Sequence, residues 1–219
     1  MTEYTRPDFS KVALLTIDVQ RDFLDDGVCA IPGTTAVLPQ ISGLLTAFRS
    51  AHLPIIHVVR VYVADGSNVD LCRRALVESG ATIVRPGSPG LQLAEAFATK
   101  PLNAELLLSG ALQPLGACEW AMYKPRWGAF YQTPLEDHLR SCGTTTVVFT
   151  GCNFPNCPRT SMYEASERDF RVVMVEDAVS AIYERGKDEL KNIGVSVMSS
   201  NDLSEAIRAV SSHRADCHT

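Results

Sequence analysis

Long runs of one charge are missing from this 219-residue chain. Missing with them is the basic face that contacts to nucleic-acid phosphates require. Its 25 acids and 20 bases, for a net charge of -5, are interspersed, so no nucleic-acid partner is expected. No apolar stretch approaches the roughly 18 to 20 residues of a membrane-spanning helix, and no membrane partner is expected either. The opening Met1–Ser10 is polar and carries Glu3, Arg6 and Asp8, so it does not read as a signal peptide. CxxC pairs are absent too. The seven cysteines, at 29, 72, 118, 142, 152, 157 and 217, are odd in number and scattered. That predicts neither a disulfide framework nor a thiolate zinc site, and it makes a reducing cytoplasm the expected location. Repeats, low-complexity tracts and domain linkers are lacking as well. With 46% hydrophobic residues, the chain can bury one sizeable core, and residues 1–219 are expected to form one domain.

What is present alternates between two periods. Apolar runs at 11–18, 54–63, 145–150 and 171–176 predict buried strands, with weaker candidates at 105–109 and 194–198. Between the first two, Val37, Ile41, Leu44, Leu45 and Phe48 recur at helical spacing, with Pro39 tolerated in the first turn. Segments 91–98, 134–141, 158–169 and 202–211 also read as helices. The last of these carries Asp202 and Glu205 at capping-box spacing. Loops are expected at 85–90 and 110–116, and a frayed tail over 211–219. Continuous Val/Ile/Leu strands interleaved with helices predict an α/β fold of three layers. Its sheet would be mostly parallel, of about six strands, with helices on both faces.

In such sheets, ligands bind beyond the carboxyl ends of the strands. Asp18 closes the first strand, and Cys157 follows the 145–150 strand by a short loop, Gly151-Cys152-Asn153-Phe154-Pro155-Asn156. Pro158 suits the first turn of a helix, which places Cys157 at a helix N-terminus, where thiolate is favoured. Lys124 lies in Tyr123-Lys124-Pro125-Arg126-Trp127-Gly128-Ala129-Phe130. A carboxylate, an ammonium and a thiol together suit a nucleophilic hydrolase. The thiolate attacks a carbonyl, Lys124 stabilises it, and Asp18 carries the proton to the leaving amine. Backbone N–H groups of the 152–157 loop would hold the oxyanion, typically worth about 3 to 4 kcal/mol of barrier per donor. Taken singly, each residue has a plainer reading: a buried filler cysteine, an acid that caps or pairs, a solvated lysine.

Three ordered motifs resemble the isochorismatase-like cysteine hydrolase superfamily over about residues 10–200. Asp18-Val19-Gln20-Arg21-Asp22-Phe23 is similar to its Asp-x-Gln-x-x-Phe opening. Lys124, Ala129-Phe130 and Thr133-Pro134-Leu135 are similar to its lysine motif, and Gly151 to Cys157 keeps its six-residue step to the nucleophile. Glu164–Phe170 and Val175–Ala178 resemble the helix and strand that follow. The resemblance implies a Rossmann-like sheet, an Asp18-Lys124-Cys157 triad and a homodimer or homotetramer. It also implies a cis peptide between Cys152 and Asn153, with the Asn153 and Cys157 N–H groups as oxyanion hole. The branch of that family cleaving isochorismate lacks the cysteine. Its presence here implies hydrolysis of a carbon–nitrogen bond in an amide, carbamoyl or ureido compound.

Nicotinamidases of the family carry an Asp-x-His and a later His that bind a metal. The corresponding stretch Arg60-Val61-Tyr62-Val63-Ala64-Asp65-Gly66-Ser67-Asn68 has no histidine, and His57 falls inside a strand. Neither a catalytic metal nor another cofactor is expected. Phe23, Arg60, Arg126, Trp127, Tyr131 and Phe154 are candidates for substrate contacts, because guanidinium groups bind carboxylates and ureides and aromatic rings stack on planar groups. The alternatives are a non-catalytic ligand-binding protein that kept the fold, or a thiol redox protein using Cys152 and Cys157.

Overall fold

A computed structural model describes residues 2–216, and the side chains of residues 2–210. Seven strands form one sheet: β1 (Val12–Ile17), β2 (Ile55–Val59), β3 (Gln113–Gly116), β4 (Glu119–Tyr123), β5 (Thr146–Gly151), β6 (Arg171–Val179) and β7 (Ser196–Met198). Their order is β3-β4-β2-β1-β5-β6-β7, and every neighbouring pair is parallel except the edge pair β3–β4. The helices are α1 (Leu38–Ser50), α2 (Leu71–Glu78), α3 (Ala104–Leu108), α4 (Leu135–Ser141), α5 (Cys157–Ser166), α6 (Glu184–Asn192) and α7 (Ser200–Asp216).

Strand alternation divides the core in two. Val12 and Leu14 of β1 face a cluster with Ile41, Leu44, Leu45 and Phe48 of α1 and Leu203 and Ile207 of α7. Ala13, Leu15 and Ile17 face the other side, with Leu135 and Leu139 of α4, Met162 and Ala165 of α5 and Leu190 of α6. Both faces of the central strands are therefore covered, which is why their sequences are apolar throughout. Each large aliphatic or aromatic side chain buried in this way stabilises the fold by about 1.5 to 3 kcal/mol.

Several expected elements differ. The 105–109 segment is helical, not extended: Asn103 Oδ1 accepts the Leu106 N–H at 3.1 Å and starts α3, whose leucines favour helix over strand. The 110–116 loop contains β3, where Pro114 is tolerated because the strand is at the sheet edge. The expected 91–98 helix is reduced to 3₁₀ turns at Pro89–Leu91 and Glu95–Phe97. Helices α2 and α6 were not expected, since they bury little besides Val77 and Leu190. Helix α7 is capped by Ser199, not Asp202: Ser199 Oγ accepts the Asp202 N–H at 3.1 Å and donates to its carboxylate at 2.7 Å. That helix continues to Asp216 across most of the expected frayed tail, and residues 217–219 lie outside those described.

Gly151, at the end of β5, sets the start of the cysteine loop. Its φ is +108°, and a Cβ there would lie 2.2 Å from the Ile17 carbonyl oxygen of β1. Gly151→Ala is expected to destabilise by about 3 kcal/mol, from backbone strain and overpacking together. For a chain of this size that lowers the melting temperature by roughly 6 to 12 °C. An unchanged thermal melt would show that the strand ends are not packed this closely.

Candidate active site

Four strand ends converge. Asp18, with φ +53°, leaves β1 and its N–H donates to Val58 O of β2 at 2.9 Å. The Lys124 N–H donates to Val59 O at 3.0 Å, which fixes the end of β4 beside β2. On the other side, the Cys152 N–H donates to Ile17 O at 2.9 Å and ties the cysteine loop to β1. Helix α5 begins at Cys157 with Pro158 in its first turn. Ser161 Oγ accepts from Ala129 N at 3.0 Å, and Glu164 accepts from Phe130 N at 2.9 Å. These two bonds pin the segment after Lys124 onto the helix that carries Cys157. Gly128 is needed there because a Cβ would lie 2.2 Å from the Glu164 carboxylate.

Asp18, Lys124 and Cys157 thus come together, all buried. Lys124 Nζ is 2.9 Å from Asp18 Oδ2 and also donates to Arg126 O at 3.2 Å. A second cation joins them. Arg60 is fully buried, its Nη2 is 3.5 Å from Cys157 Sγ and its Nε is 3.8 Å from Asp18 Oδ2. Its Nη1 pairs with Asp70, whose Oδ2 also accepts from Tyr62 Oη at 2.6 Å. Gln20 holds the Arg60 backbone at both ends: its Oε1 accepts from Arg60 N at 2.7 Å and its Nε2 donates to Arg60 O at 2.8 Å. That clasp also explains why β2 stops at Val59 instead of running to residue 63.

The electrostatics place the proton. Burial disfavours the Asp18 carboxylate, but Lys124, Arg60 and the Cys157 thiol outweigh it and hold the group below its ordinary range. Burial and the Asp18 charge push the Cys157 thiol up, against Lys124 and Arg60. The resting pair is therefore carboxylate and thiol. The helix N-terminus and nearby cations favour thiolate, but burial and the Asp18 charge outweigh them. The Cys152 thiol is pushed well up by burial and by Asp18, and it donates to Asp18 O at 3.2 Å. Cys152 is thus a poor partner for thiol–disulfide exchange.

The cysteine loop carries the non-proline cis peptide at Cys152–Asn153. Phe154 N donates to Ser180 O and Asn156 N to Asn153 O, whereas the Asn153 and Cys157 amides donate to no backbone carbonyl among the described residues. Of the candidate contact residues, Trp127 lies with its ring 5.0 Å from the Arg60 guanidinium, and Phe23 lies 5.8 Å from Arg73. Arg126 is exposed and donates to Asn68 O and Pro125 O. Tyr131 is on the surface. Phe154 is fully buried against Tyr183 and Gly186, so its ring serves the core. His57 is a core residue, bonded to Thr16 Oγ and Glu119 at 2.8 Å each. Asp70, Tyr62 and Arg73 had no sequence signal.

A protein-family model described as the isochorismatase domain matches residues 12–202. The chain belongs to the isochorismatase family. It is 29% identical over 202 residues to a probable inactive nicotinamidase of Arabidopsis thaliana, covering 89% of this chain and 95% of that protein. It is 30% identical over 183 residues to the ureidoacrylate amidohydrolase RutB of Methylobacterium radiotolerans, covering 75% of this chain and 65% of that one. An isochorismatase family protein from Desulfovibrio vulgaris has the same fold, with a TM-score of 0.77 and 28% identity over 90% of this chain and 98% of that chain. Relatives in the family thus include hydrolases of carbon–nitrogen bonds. No described helix is long and apolar enough to cross a membrane.

Proposed function

We propose that the chain hydrolyses a carbon–nitrogen bond of a small amide, carbamoyl or ureido compound through a thioester on Cys157. The observation that carries this reading is the buried Asp18–Lys124 pair at 2.9 Å, joined to the buried Cys157 sulfur by Arg60, which lies 3.8 Å from Asp18 and 3.5 Å from the sulfur. Asp18 takes the thiol proton as sulfur attacks the carbonyl carbon. The Asn153 and Cys157 N–H groups receive the oxyanion. Asp18 then gives that proton to the leaving nitrogen, the carbon–nitrogen bond breaks, and ammonia departs. Water, deprotonated by Asp18, opens the thioester and returns the thiol. Lys124 keeps Asp18 oriented and offsets the negative charge that moves between carboxylate and sulfur.

The reading is metal-independent. The Arg60 guanidinium lies between Asp18 and Asp70, paired with Asp70 and 3.8 Å from Asp18, where a divalent cation would meet a fixed positive charge. His57 is committed to Thr16 and Glu119, and no cluster of three or more His, Cys, Asp or Glu suited to a metal occurs among the described residues. The kinship with an amidohydrolase of ureidoacrylate supports the ureido and carbamoyl part of the substrate range.

An ammonia-release screen over simple amides, carbamoyl compounds and ureido acids tests this directly. Release is expected from at least one class, undiminished after treatment with a chelator. No release from any class, with the protein folded, would leave the non-catalytic reading standing. Release abolished by chelation and restored by zinc would refute metal independence.

A further inference from the structure

Lys124 holds Asp18 and leaves the sulfur to another cation. Its Nζ is 2.9 Å from Asp18 Oδ2 and 3.2 Å from Arg126 O, and among the described residues it makes no hydrogen bond to Cys157 Sγ. The cation bonded to the sulfur is Arg60, whose Nη2 donates to Sγ at 3.5 Å. Asp18 is divided in the same way. Its Oδ2 faces Lys124, while its Oδ1 is buried without a hydrogen-bond partner and stays open to receive a proton. Arg60 Nε, 3.8 Å from Asp18 Oδ2, makes no hydrogen bond either. The guanidinium is therefore committed to sulfur on one side and to Asp70 on the other.

That guanidinium is held from several directions. Gln20 clasps the Arg60 backbone, and Asp70 pairs with Nη1. Tyr62 Oη donates to the same Asp70 oxygen at 2.6 Å, and Arg73 Nη1 donates to Tyr62 Oη at 3.0 Å. A fork of fixed donors can serve two partners at once, which suits arginine better than lysine here. Arg60 has no exposed side-chain surface, whereas Arg73 and Trp127 are partly exposed. A substrate entering the site meets those two before it meets Arg60. The charged and titratable groups around the sulfur are Asp18 after β1, Arg60 after β2, Lys124 after β4 and Cys152 after β5. Asp70, Tyr62 and Arg73 reach it only through Arg60.

We propose that Arg60 is a catalytic residue that receives the negative charge on sulfur as Asp18 takes the thiol proton, and that Asp70 and Tyr62 are the residues that position it. The proposal rests on the cysteine-hydrolase reading above. The S–H bond breaks, its proton passes to Asp18 Oδ1, and the electron pair stays on sulfur to attack the carbonyl carbon. Arg60 keeps its own protons throughout: burial opposes its charge, but Asp18, Cys157, Tyr62 and Asp70 outweigh burial and push its pKa up. Charge on sulfur turns the 3.5 Å contact into a charge-assisted hydrogen bond, weak in the resting thiol and strong in the attacking state. Lys124 offsets charge on the Asp18 side, and Arg60 offsets it on the sulfur side.

The test follows iodoacetamide alkylation of the peptide bearing Cys157 against pH, in the wild type, Arg60→Gln, Asp70→Asn and the double variant Arg60→Met/Asp70→Asn. The double variant leaves neither charge buried alone, so it reads the site even where a single variant folds poorly. Alkylation in Arg60→Gln and in the double variant is expected to shift to higher pH, because the cation bonded to the thiolate is gone. Asp70→Asn should shift the same way. Loss of an anion alone would move it to lower pH, so an upward shift reports a displaced Arg60. In Arg60→Gln, kcat for any substrate turned over should fall by about 10²- to 10³-fold with KM little changed. An unshifted profile in Arg60→Gln and the double variant, or an effect confined to KM, would overturn the assignment. A downward shift in Asp70→Asn would remove its positioning role. Profiles shifted as expected in a protein that releases ammonia from no amide would uphold the Arg60–sulfur contact and sink the hydrolase reading. Cys157-dependent ammonia release beside unshifted profiles would do the reverse.

Discussion

Cys157→Ala is expected to lower ammonia release from any substrate the protein turns over by at least about four orders of magnitude. Without sulfur no acyl-enzyme can form. Asp18 stays ionised beside Lys124 and can assist only a direct attack by water, a far poorer route. The loss should not come from unfolding. The side chain is small and buried at the first position of α5, and alanine removes one atom from a site that adjoins the core. A cavity of that size costs about 1 kcal/mol, within reach of a thermal melt. A folded Cys157→Ala protein that turns over normally would remove the nucleophile from the account.

The second large effect has opposite signs in two variants. Asp18→Asn is expected to lower turnover by about 10²- to 10⁴-fold, since the leaving nitrogen loses its proton donor. The same change should make the thiol more reactive toward iodoacetamide at a given pH. The carboxylate is one of the two influences that push the thiol up, burial being the other, and only the carboxylate is removed. The alkylation profile should shift to lower pH. Lys124→Met removes a charge that draws the thiol down, so its profile should shift to higher pH. Because Asp18 and Cys157 interact, each midpoint belongs to the pair and not to one residue. Profiles that move in the same direction in both variants would contradict the placement of charge around the sulfur.

These charges explain what could and could not be read from sequence. Asp18 and Cys157 were legible because each follows a strongly apolar strand, β1 or β5, and the parallel arrangement brings such ends together. Lys124 was not legible in this way. It follows β4, whose glutamate and tryptophan break the apolar pattern, and whose Glu119 is satisfied only by Arg49 and His57 from distant elements. Only the motif around Ala129 and Phe130 marked it, and the structure gives that motif a reason: both amides bond to α5. Arg60 was marked as a substrate contact, yet its partner Asp70 lies ten residues on, across an irregular loop with no periodicity to read. Which way the thiol is pushed was not legible for the same kind of reason. A helix N-terminus is visible in sequence, but the burial and the anion that outweigh it are not.

The most direct measurement is where the covalent intermediate forms. The protein would be treated with an electrophilic aldehyde analogue of a turned-over amide or ureide, digested, and mapped by mass spectrometry. The account predicts a single adduct on the peptide bearing Cys157, absent from Cys157→Ala and leaving Cys152 unmodified. An adduct on Cys152, or inhibition with no adduct on Cys157, would contradict it.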